Sequence, residues 1–533
     1  MSNPRKIRDY DLEKIKTVPK NSIFRLIFSR ICISALLIIL QVVVLAAVTF
    51  SWSERHTKEV ILLFMVLASA GIFIVILNSE SNPTYKISWI IPVALLPFFG
   101  SMLYLLSHYN IGSIASTKAV RQSLEDTEKY SRTAPEVRDA LRAQNRRVSA
   151  LSQYIENAGG YASYRNTSVK YFPLGDDAFP EIVRQLEKAE SFIFLEFFII
   201  REGIFWNTIL EILQRKARSG VEVRVMYDDI GCMTTLPRDY VSTLTSMGIK
   251  AKTFAKVTPF FSTHYNNRDH RKILVIDGKA AFSGGINLAD EYINKEERFG
   301  KWKDNCFLLQ GDAVRNYTLM FLQLWNTTVS QDAKLYQPYV SVRSDRVPRE
   351  GDGFIIPYGD GPHSPVSVAQ SIYLNISHSA VDYVHIMTPY LVLDDEMLNA
   401  LKRAAKSGIT VRILLPYIPD KKTVNLIGKT YYPELLEAGV HIYEYTPGFV
   451  HSKVVEADGN IAAVGTINLD FRSLYLHYEC ACLIFENDVL KDITEDFHRT
   501  FADSHRITMS DYKKMNLMKR FAGRVLRVFA PQV

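Results

Sequence analysis

The sequence predicts an α/β chain of two pseudo-symmetric lobes, each a mixed sheet flanked by helices, preceded by N-terminal transmembrane helices. Three observations carry this. An H-x-K-x4-D stretch at 270–277 recurs at 451–458, and each copy leads at the same spacing through a Gly-containing turn to an Asn, Asn287 and Asn468. A strand, helix, strand pattern upstream of each copy is repeated as well, with closely matching helix exits at 216–224 and 404–412. Three apolar runs precede both copies.

In chain order, residues 1–30 are basic, with Arg5, Lys6, Arg8, Lys14, Lys16, Lys20, Arg25 and Arg30 against Asp9, Asp11 and Glu13. Residues 31–50 are apolar and uncharged, long enough to span a bilayer, longer than a signal peptide needs, and without a small-residue cleavage site. They are expected to stay as an anchor. Residues 60–77 form a second candidate span and 87–106 a third, which contains Pro92 and Pro97 and has Tyr85, Trp89 and Tyr104 near its ends, where interfacial aromatics belong. Residues 107–165 are polar and helix-prone and read either as a helical connector between membrane and catalytic part or as part of the first lobe.

Lobe 1 is expected over 166–342, with a strand at 192–200, a helix at 206–218 and a strand at 221–227. Lobe 2 is expected over 354–510, where 383–388, 396–406 and 411–415 take the same parts, and 343–353, rich in charge and Gly, links the two. Gly after each helix, followed by a β-branched run, is the punctuation that a helix-to-strand transition needs. The tail, 511–533, is a basic amphipathic helix that reads equally as interfacial or as docked on the lobes.

A length of 533 residues allows two to four domains, and near-average composition excludes a disordered chain. A net charge of +7 suits work near anionic lipid or another polyanion without choosing between them. Five cysteines make no disulfide framework. Cys480 and Cys482 share a strand face with no His or Cys cluster nearby, so buried free thiols are expected and not a zinc site.

The repeated stretch carries the chemistry. Two residues apart on an extended segment, His270 and Lys272 point to one face, as do His451 and Lys453. An imidazole beside an ammonium, with an Asn amide after the next turn, suits a phosphate: cations for its charge, an amide for its oxygens, a His for nucleophilic or acid–base work. Asp277 and Asp458 complete the candidate catalytic sets. Their odd offset from Lys turns them to the opposite face, so they are expected to hold the turn and not to touch phosphate.

These paired stretches resemble the HKD motifs of the phospholipase D superfamily. The segments 287–292 and 468–473 after them, and 195–200 and 227–231 before the first, resemble bacterial cardiolipin synthases, as does the membrane hairpin around 82–89 and 97–100. That family is drawn with two spans, so the extra apolar stretch is a departure. The resemblance implies two phospholipase D-like lobes that share one site. His270 would attack phosphorus and His451 would protonate the leaving group. Lys272, Lys453, Asn287 and Asn468 would hold the phosphate, and Asp304 and Glu479 would orient the histidines. It implies phosphatidylglycerol and the bilayer as partners, a multi-pass cell-membrane location, no nucleic acid, no cofactor and no metal. The alternatives it leaves are a membrane-bound phospholipase D, a phosphatidylserine synthase-like transferase, a nuclease of the superfamily, or a membrane scaffold with a dead site. Phe260, Phe261, Tyr265 and Phe449, just before the motifs, are expected to rim the site toward the membrane or to lie in the core.

Overall fold

The computed structural model describes residues 55–108, 111–255, 267–328, 335–342, 346, 348–364 and 366–532. The basic segment 1–30 and the first apolar run lie outside them, as do Phe260, Phe261 and Tyr265 and part of the expected linker.

The described chain opens with helix α1 (Arg55–Leu77), followed by α2 (Pro83–Leu95) and α3 (Pro97–His108). The third apolar run is therefore not one span, a correction to the expectation for 87–106. The proline ring at 97 disfavours helical geometry at Leu96, whose φ and ψ are −132° and 73°, and the helix breaks there. α2 and α3 fold back as a hairpin, with Trp89 packed edge-on against Tyr104 at 5.5 Å. At 13 and 12 residues, each arm is only about 20 Å long, short of the ~30 Å apolar thickness of a bilayer. Among the described residues no helix is long and apolar enough to cross a membrane.

Helices α4 (Ile111–Thr127), α5 (Pro135–Gln144) and α6 (Arg146–Gly159) form the expected connector, but they do not stand apart from the lobes. Gln323 of lobe 1 donates to the Thr127 hydroxyl, Arg121 donates to the His363 carbonyl of lobe 2, and Tyr154 pairs with Ser371. Tyr164 bridges to Ile355 through backbone bonds of 3.0 and 2.9 Å. The segment is a wedge between the lobes, and Leu151, Ile155 and Tyr161 belong to the core that the lobes share.

Lobe 1 contains strands β1 (Thr167–Phe172), β2 (Phe192–Phe197), β3 (Glu222–Asp228), β4 (Lys250–Phe254), β5 (Lys272–Ile276), β6 (Ala280–Gly284), β7 (Lys301–Lys303) and β8 (Cys306–Gly311). Its helices include α7 (Gly175–Leu186), α8 (Ile204–Arg218) and α9 (Val314–Trp325). Lobe 2 contains β9 (Phe354–Asp360), β10 (Tyr383–Met387), β11 (Thr410–Pro416), β12 (His441–Tyr445), β13 (Gly448–Val450), β14 (Val454–Ala457), β15 (Ile461–Gly465), β16 (Glu479–Phe485) and β17 (Ser504–Ile507). Its helices include α10 (Val368–Ser379), α11 (Asp395–Lys406), α12 (Lys422–Lys429), α13 (Phe471–Tyr475), α14 (Val489–Ala502) and α15 (Leu517–Val528).

The two sheets have one order. Lobe 1 runs β1-β8-β6-β5-β2-β3-β4, and lobe 2 runs β9-β16-β15-β14-β10-β11-β12 with β17 added at the edge. In each, the strand–helix–strand unit pairs in parallel, β2 with β3 and β10 with β11, while the strand after the motif histidine pairs antiparallel with its first member. Both faces of β5 are buried. Ile273 and Val275 join the core shared between the lobes, while Leu274 and Ile276 face α7 and α8. Alternation along the strand thus divides one apolar run between two cores.

Candidate active site

The site grows from the ends of β5 and β14. The histidines stand three residues before each strand's Val or Ile run, where the backbone leaves the sheet and can bond across to the other lobe. The backbone N–H of His270 donates to Tyr478 at 2.9 Å, and that of His451 donates to Lys303 at 2.7 Å. β13 and β7 pair in parallel, Val450 opposite Lys303, and Asp269 bridges to Tyr478. Each motif is therefore stitched to the residue that precedes the other lobe's carboxylate.

The imidazoles follow the same crossing. His270 Nδ1 lies 2.9 Å from both oxygens of Glu479, and His451 Nδ1 lies 2.6 Å from Asp304. Each lobe supplies a histidine and the acid that orients its partner's histidine, so neither lobe holds a complete dyad. Gly285 makes room for Asp304: a Cβ there would lie 1.9 Å from its oxygen. Lobe 2 carries Thr466 at the matching position, and its hydroxyl donates to Glu479. The repeat is thus asymmetric at one residue, and each version suits its own acid.

Lys272 and Lys453 are buried beside their histidines, and Lys272 Nζ donates to the His270 carbonyl at 2.7 Å. Lys453 Nζ lies 2.9 Å from His451 Nδ1 and donates to the His451 carbonyl. Burial pushes Lys272 down to about 8 and Lys453 down to about 7, although Glu479 and Asp304 oppose the shift. Burial, then Lys272 and His477, hold His270 well below the usual imidazole range. Burial and Lys453 bring His451 to about 4, against the pull of Asp304. The two acids differ. Burial raises Glu479 well above the ordinary carboxyl range, whereas at Asp304 the burial effect is outweighed by His451 and Lys453 and the carboxylate stays low.

The remaining sequence-derived residues divide. Asn287 accepts from the Ile199 N–H at 3.0 Å and donates to the Tyr292 hydroxyl at 2.8 Å, which leaves one amide hydrogen for a ligand. Asn468 donates to Ser473 at 3.1 Å, and its buried Oδ1 has no hydrogen-bond partner. Asp277 and Asp458 are not brought to the site. Each sits with φ at 53° in the turn that ends its strand, followed by a Gly with positive φ. Two positive φ angles in succession are what a type I′ turn requires. The Asp277 carboxylate accepts from the backbone N–H groups of Glu190, Ser191 and Phe192, and Asp458 accepts from Val381, Asp382 and Tyr383. They clamp the entry of β2 and β10, one strand length from the lysines. Asp277→Ala or Asp458→Ala strands three N–H groups, which is expected to cost about 2–4 kcal/mol. The loss should register as a lower Tm with kcat per folded molecule retained; a normal Tm with lost turnover would place these carboxylates in the chemistry instead.

Phe449 does not rim the site. It is fully buried, 4.9 Å from Trp302 and 5.8 Å from His451, and forms the floor under that imidazole. The aromatics at the site are Phe198, edge-on to His270 at 5.0 Å, and Tyr292 and Trp302, each 5.6 Å from the His451 ring.

Sequence reasoning also missed His477, two residues before Glu479 and 5.7 Å from the His270 ring. Its adjacency to an orienting acid was the available signal. Neither of its ring nitrogens, both buried, has a hydrogen-bond partner. A buried ion pair between Arg268 and Asp228, at 2.9 Å, fixes the approach to His270 and explains the acidic 227–231 segment. His270, His477 and Glu479 bring ligand atoms within 4.8 Å of one another, a grouping with the donors for a metal. Glu479 is already committed to His270 Nδ1 and Thr466, and Lys272 stands beside it, so a divalent cation would meet a compensated carboxylate and a competing ammonium. Among the described residues, Cys232, Cys306, Cys480 and Cys482 are free and buried.

Comparison with known proteins follows the same lines. A family described as cardiolipin synthase, phospholipase D-like domain, matches residues 182–325 and 373–501, one stretch in each lobe. A phospholipase D-nuclease N-terminal family matches 66–107, which covers the second half of α1 and nearly all of the hairpin. The chain is 46% identical over 461 residues to an uncharacterized protein of Streptococcus mutans serotype c, covering 86% of this chain and 99% of that one. It is 34% identical over 504 residues to a cardiolipin synthase of Geobacillus kaustophilus, covering 93% and 98%. Among solved structures, phosphatidylserine synthase of Haemophilus influenzae aligns with a TM-score of 0.54 over 72% of this chain and 97% of that one, at 14% identity, a likeness of fold.

Proposed function

The chain belongs to the cardiolipin synthase family of phospholipase D-like proteins, and from that premise we propose that it transfers a phosphatidyl group from one phosphatidylglycerol to another, releasing glycerol and forming cardiolipin. The observation that carries the reading is the crossed pair of dyads, His270–Glu479 and His451–Asp304, with a buried lysine beside each.

His270 attacks phosphorus, and the phosphorus–oxygen bond to glycerol breaks as His451 delivers a proton to the leaving oxygen. The second phosphatidylglycerol then enters. His451 takes the proton from its primary hydroxyl, the new phosphorus–oxygen bond forms, and His270 is released. The difference between the acids supports this division. An ionised Asp304 favours a proton on His451, while burial and the neighbouring cations keep His270 neutral, and donation of its Nδ1–H to Glu479 leaves Nε2 to attack. An incoming phosphodiester anion opposes the nearby lysines and raises both imidazoles. Lys272, Lys453 and the free amide hydrogens of Asn287 and Asn468 face the charge that develops on the phosphoryl oxygens.

The lysines set a pH dependence. Lys453 at about 7 and Lys272 at about 8 are charged below those values and lose charge as pH rises through them. In the free enzyme, kcat/KM should therefore fall on the alkaline side of about 7. Bound phosphate raises both ammonium groups, so the alkaline limb of kcat should lie at higher pH. Coincident limbs in the two profiles would remove the lysines from phosphate binding.

Membrane association follows from the family, and a multi-pass location in the cell membrane is our reading. It is supported by the exposed apolar side chains of α1, among them Leu63, Phe64, Leu67 and Ile74.

The deciding experiment gives detergent-solubilised protein phosphatidylglycerol alone and follows both products. Cardiolipin and glycerol in equal amounts are expected. Phosphatidic acid as the main product would make the protein a phospholipase D, and no product at all would leave a scaffold.

A further inference from the structure

The C-terminal helix α15 shows two faces, and only one is covered. At 100° per residue, Leu517, Met518, Phe521 and Val525 fall within one arc of about 100°. They are 73%, 73%, 65% and 46% exposed. Gly523 lies on the opposite side and is buried, close enough to α12 that a Cβ there would sit 3.0 Å from the Leu426 carbonyl oxygen and from the Thr430 side chain. Two further contacts fix the rotation of the helix. Arg527 pairs with Glu434 at 3.0 Å and stacks over the Tyr431 ring at 3.9 Å. Just past the helix, Gln532 donates to Ser88 of the α2–α3 hairpin at 3.2 Å. The helix is thus clamped between lobe 2 and the hairpin, with its apolar stripe turned away from the protein.

The charges along it have one sign. Lys513, Lys514, Lys519 and Arg524 are exposed, and from residue 509 to 532 the single acidic residue is Asp511. Two copies packed stripe to stripe would bring these cations together, whereas an anionic lipid surface would neutralise them. The hairpin that α15 contacts also exposes an apolar residue at its tip, Leu95, at 74%.

The position of α15 reaches the active site through two short steps. Its docking partner α12 begins two residues after Asp420, whose carboxylate accepts from the Tyr390 hydroxyl at 2.6 Å and acts on Lys453. On the same loop, Tyr417 and Ile418 are exposed, and the Ile418 N–H donates to Gly448 at 3.3 Å, at the start of the strand that leads into His451.

We propose that α15 lies in the plane of the bilayer, with Leu517, Met518, Phe521 and Val525 at the acyl boundary and its lysines and arginines among anionic headgroups, and that it sets the height of the site at the membrane surface. The proposal rests on the reading that the substrate is a bilayer lipid.

The test uses the full chain in proteoliposomes of phosphatidylcholine with phosphatidylglycerol. An environment-sensitive fluorophore is attached to Phe521→Cys or, on the side of the helix opposite the stripe, to the exposed position Lys519→Cys; the four described native cysteines are buried, and unsubstituted protein supplies the background. The label at 521 should be quenched by lipids spin-labelled near the headgroup end of the acyl chain, and the label at 519 should be quenched much less. Phe521→Ser with Val525→Ser should lower turnover of bilayer phosphatidylglycerol by roughly 10-fold while short-chain phosphatidylglycerol dissolved as monomers is turned over as by the unsubstituted protein. An unquenched label at 521, or disulfide-linked dimers of Phe521→Cys formed in high yield, would overturn the proposal, the second by assigning the stripe to another copy. Equal loss on both substrates would also overturn it, by making α15 a structural element only. Failure of the functional reading looks different, because unsubstituted protein would then make no cardiolipin from either substrate.

Discussion

His270→Ala is expected to lower phosphatidyl transfer by about 10³-fold or more, with no covalent lipid adduct at any time after mixing. His451→Ala is expected to be as slow in steady state but to differ in what accumulates. Without the proton donor the first step is slow. Without the base, the second step is slower still toward an alcohol that must lose its proton. Intact-protein mass spectrometry of His451→Ala with phosphatidylglycerol should therefore show a phosphatidyl adduct, and peptide mapping should place it on His270. An adduct on His451 in the His270 variant would exchange the two roles. The assignment rests on unequal surroundings: both imidazoles are 8% exposed and each touches one acid, but only Asp304 is held below its ordinary range.

The second large effect belongs to the acids. Glu479→Gln and Asp304→Asn keep the size of the side chain and remove its ability to hold an imidazolium or a fixed tautomer. Each should cost about 10²–10³-fold in kcat with little change in KM. Because the dyads cross, the pairings can be tested directly. A double variant of His270 with Glu479 should be no slower than the His270 variant alone, whereas adding Asp304→Asn to a slowed His270 variant should slow it further. If Asp304 instead proved silent beside His270→Ala, the pairing would run within each lobe and the crossed geometry would be wrong.

Much of this protein was legible before any coordinates. Strand at 192–200, helix at 206–218 and strand at 221–227 appear as Phe192–Phe197, Ile204–Arg218 and Glu222–Asp228, and the lobe 2 counterparts agree within a residue or two. These signals are local, since a period of two, a period of 3.6 and a Gly at a helix end report backbone geometry over a few residues. The placement of Asp277 and Asp458 in turns was local too, because the five-residue offset from Lys on a strand sets the face. The hairpin break at Leu96 was within reach, since Pro92 and Pro97 were seen. Hydropathy counts apolar length, however, and does not weigh the steric restriction on the residue before a proline.

What the sequence by itself determined is the pair of α/β lobes and the two His–Lys pairs at strand ends, and Asp304 and Glu479 came only as what the family resemblance implies. Only the tertiary structure decided which acid serves which histidine. Glu479 is 209 residues from His270, and Asp304 is 147 residues from His451, while each acid lies closer in sequence to the motif of its own lobe. No periodicity spans such a distance; the pairing exists because β7 and β13 join the lobes. The same holds for Phe449, apolar in the sequence and fully buried in the fold, and for α15. Its pattern announced two faces, but which face is covered depends on where Gly523 meets α12, a contact between elements far apart in the chain. Local pattern fixes which side chains share a face, and the docking of lobes and helices fixes what that face meets.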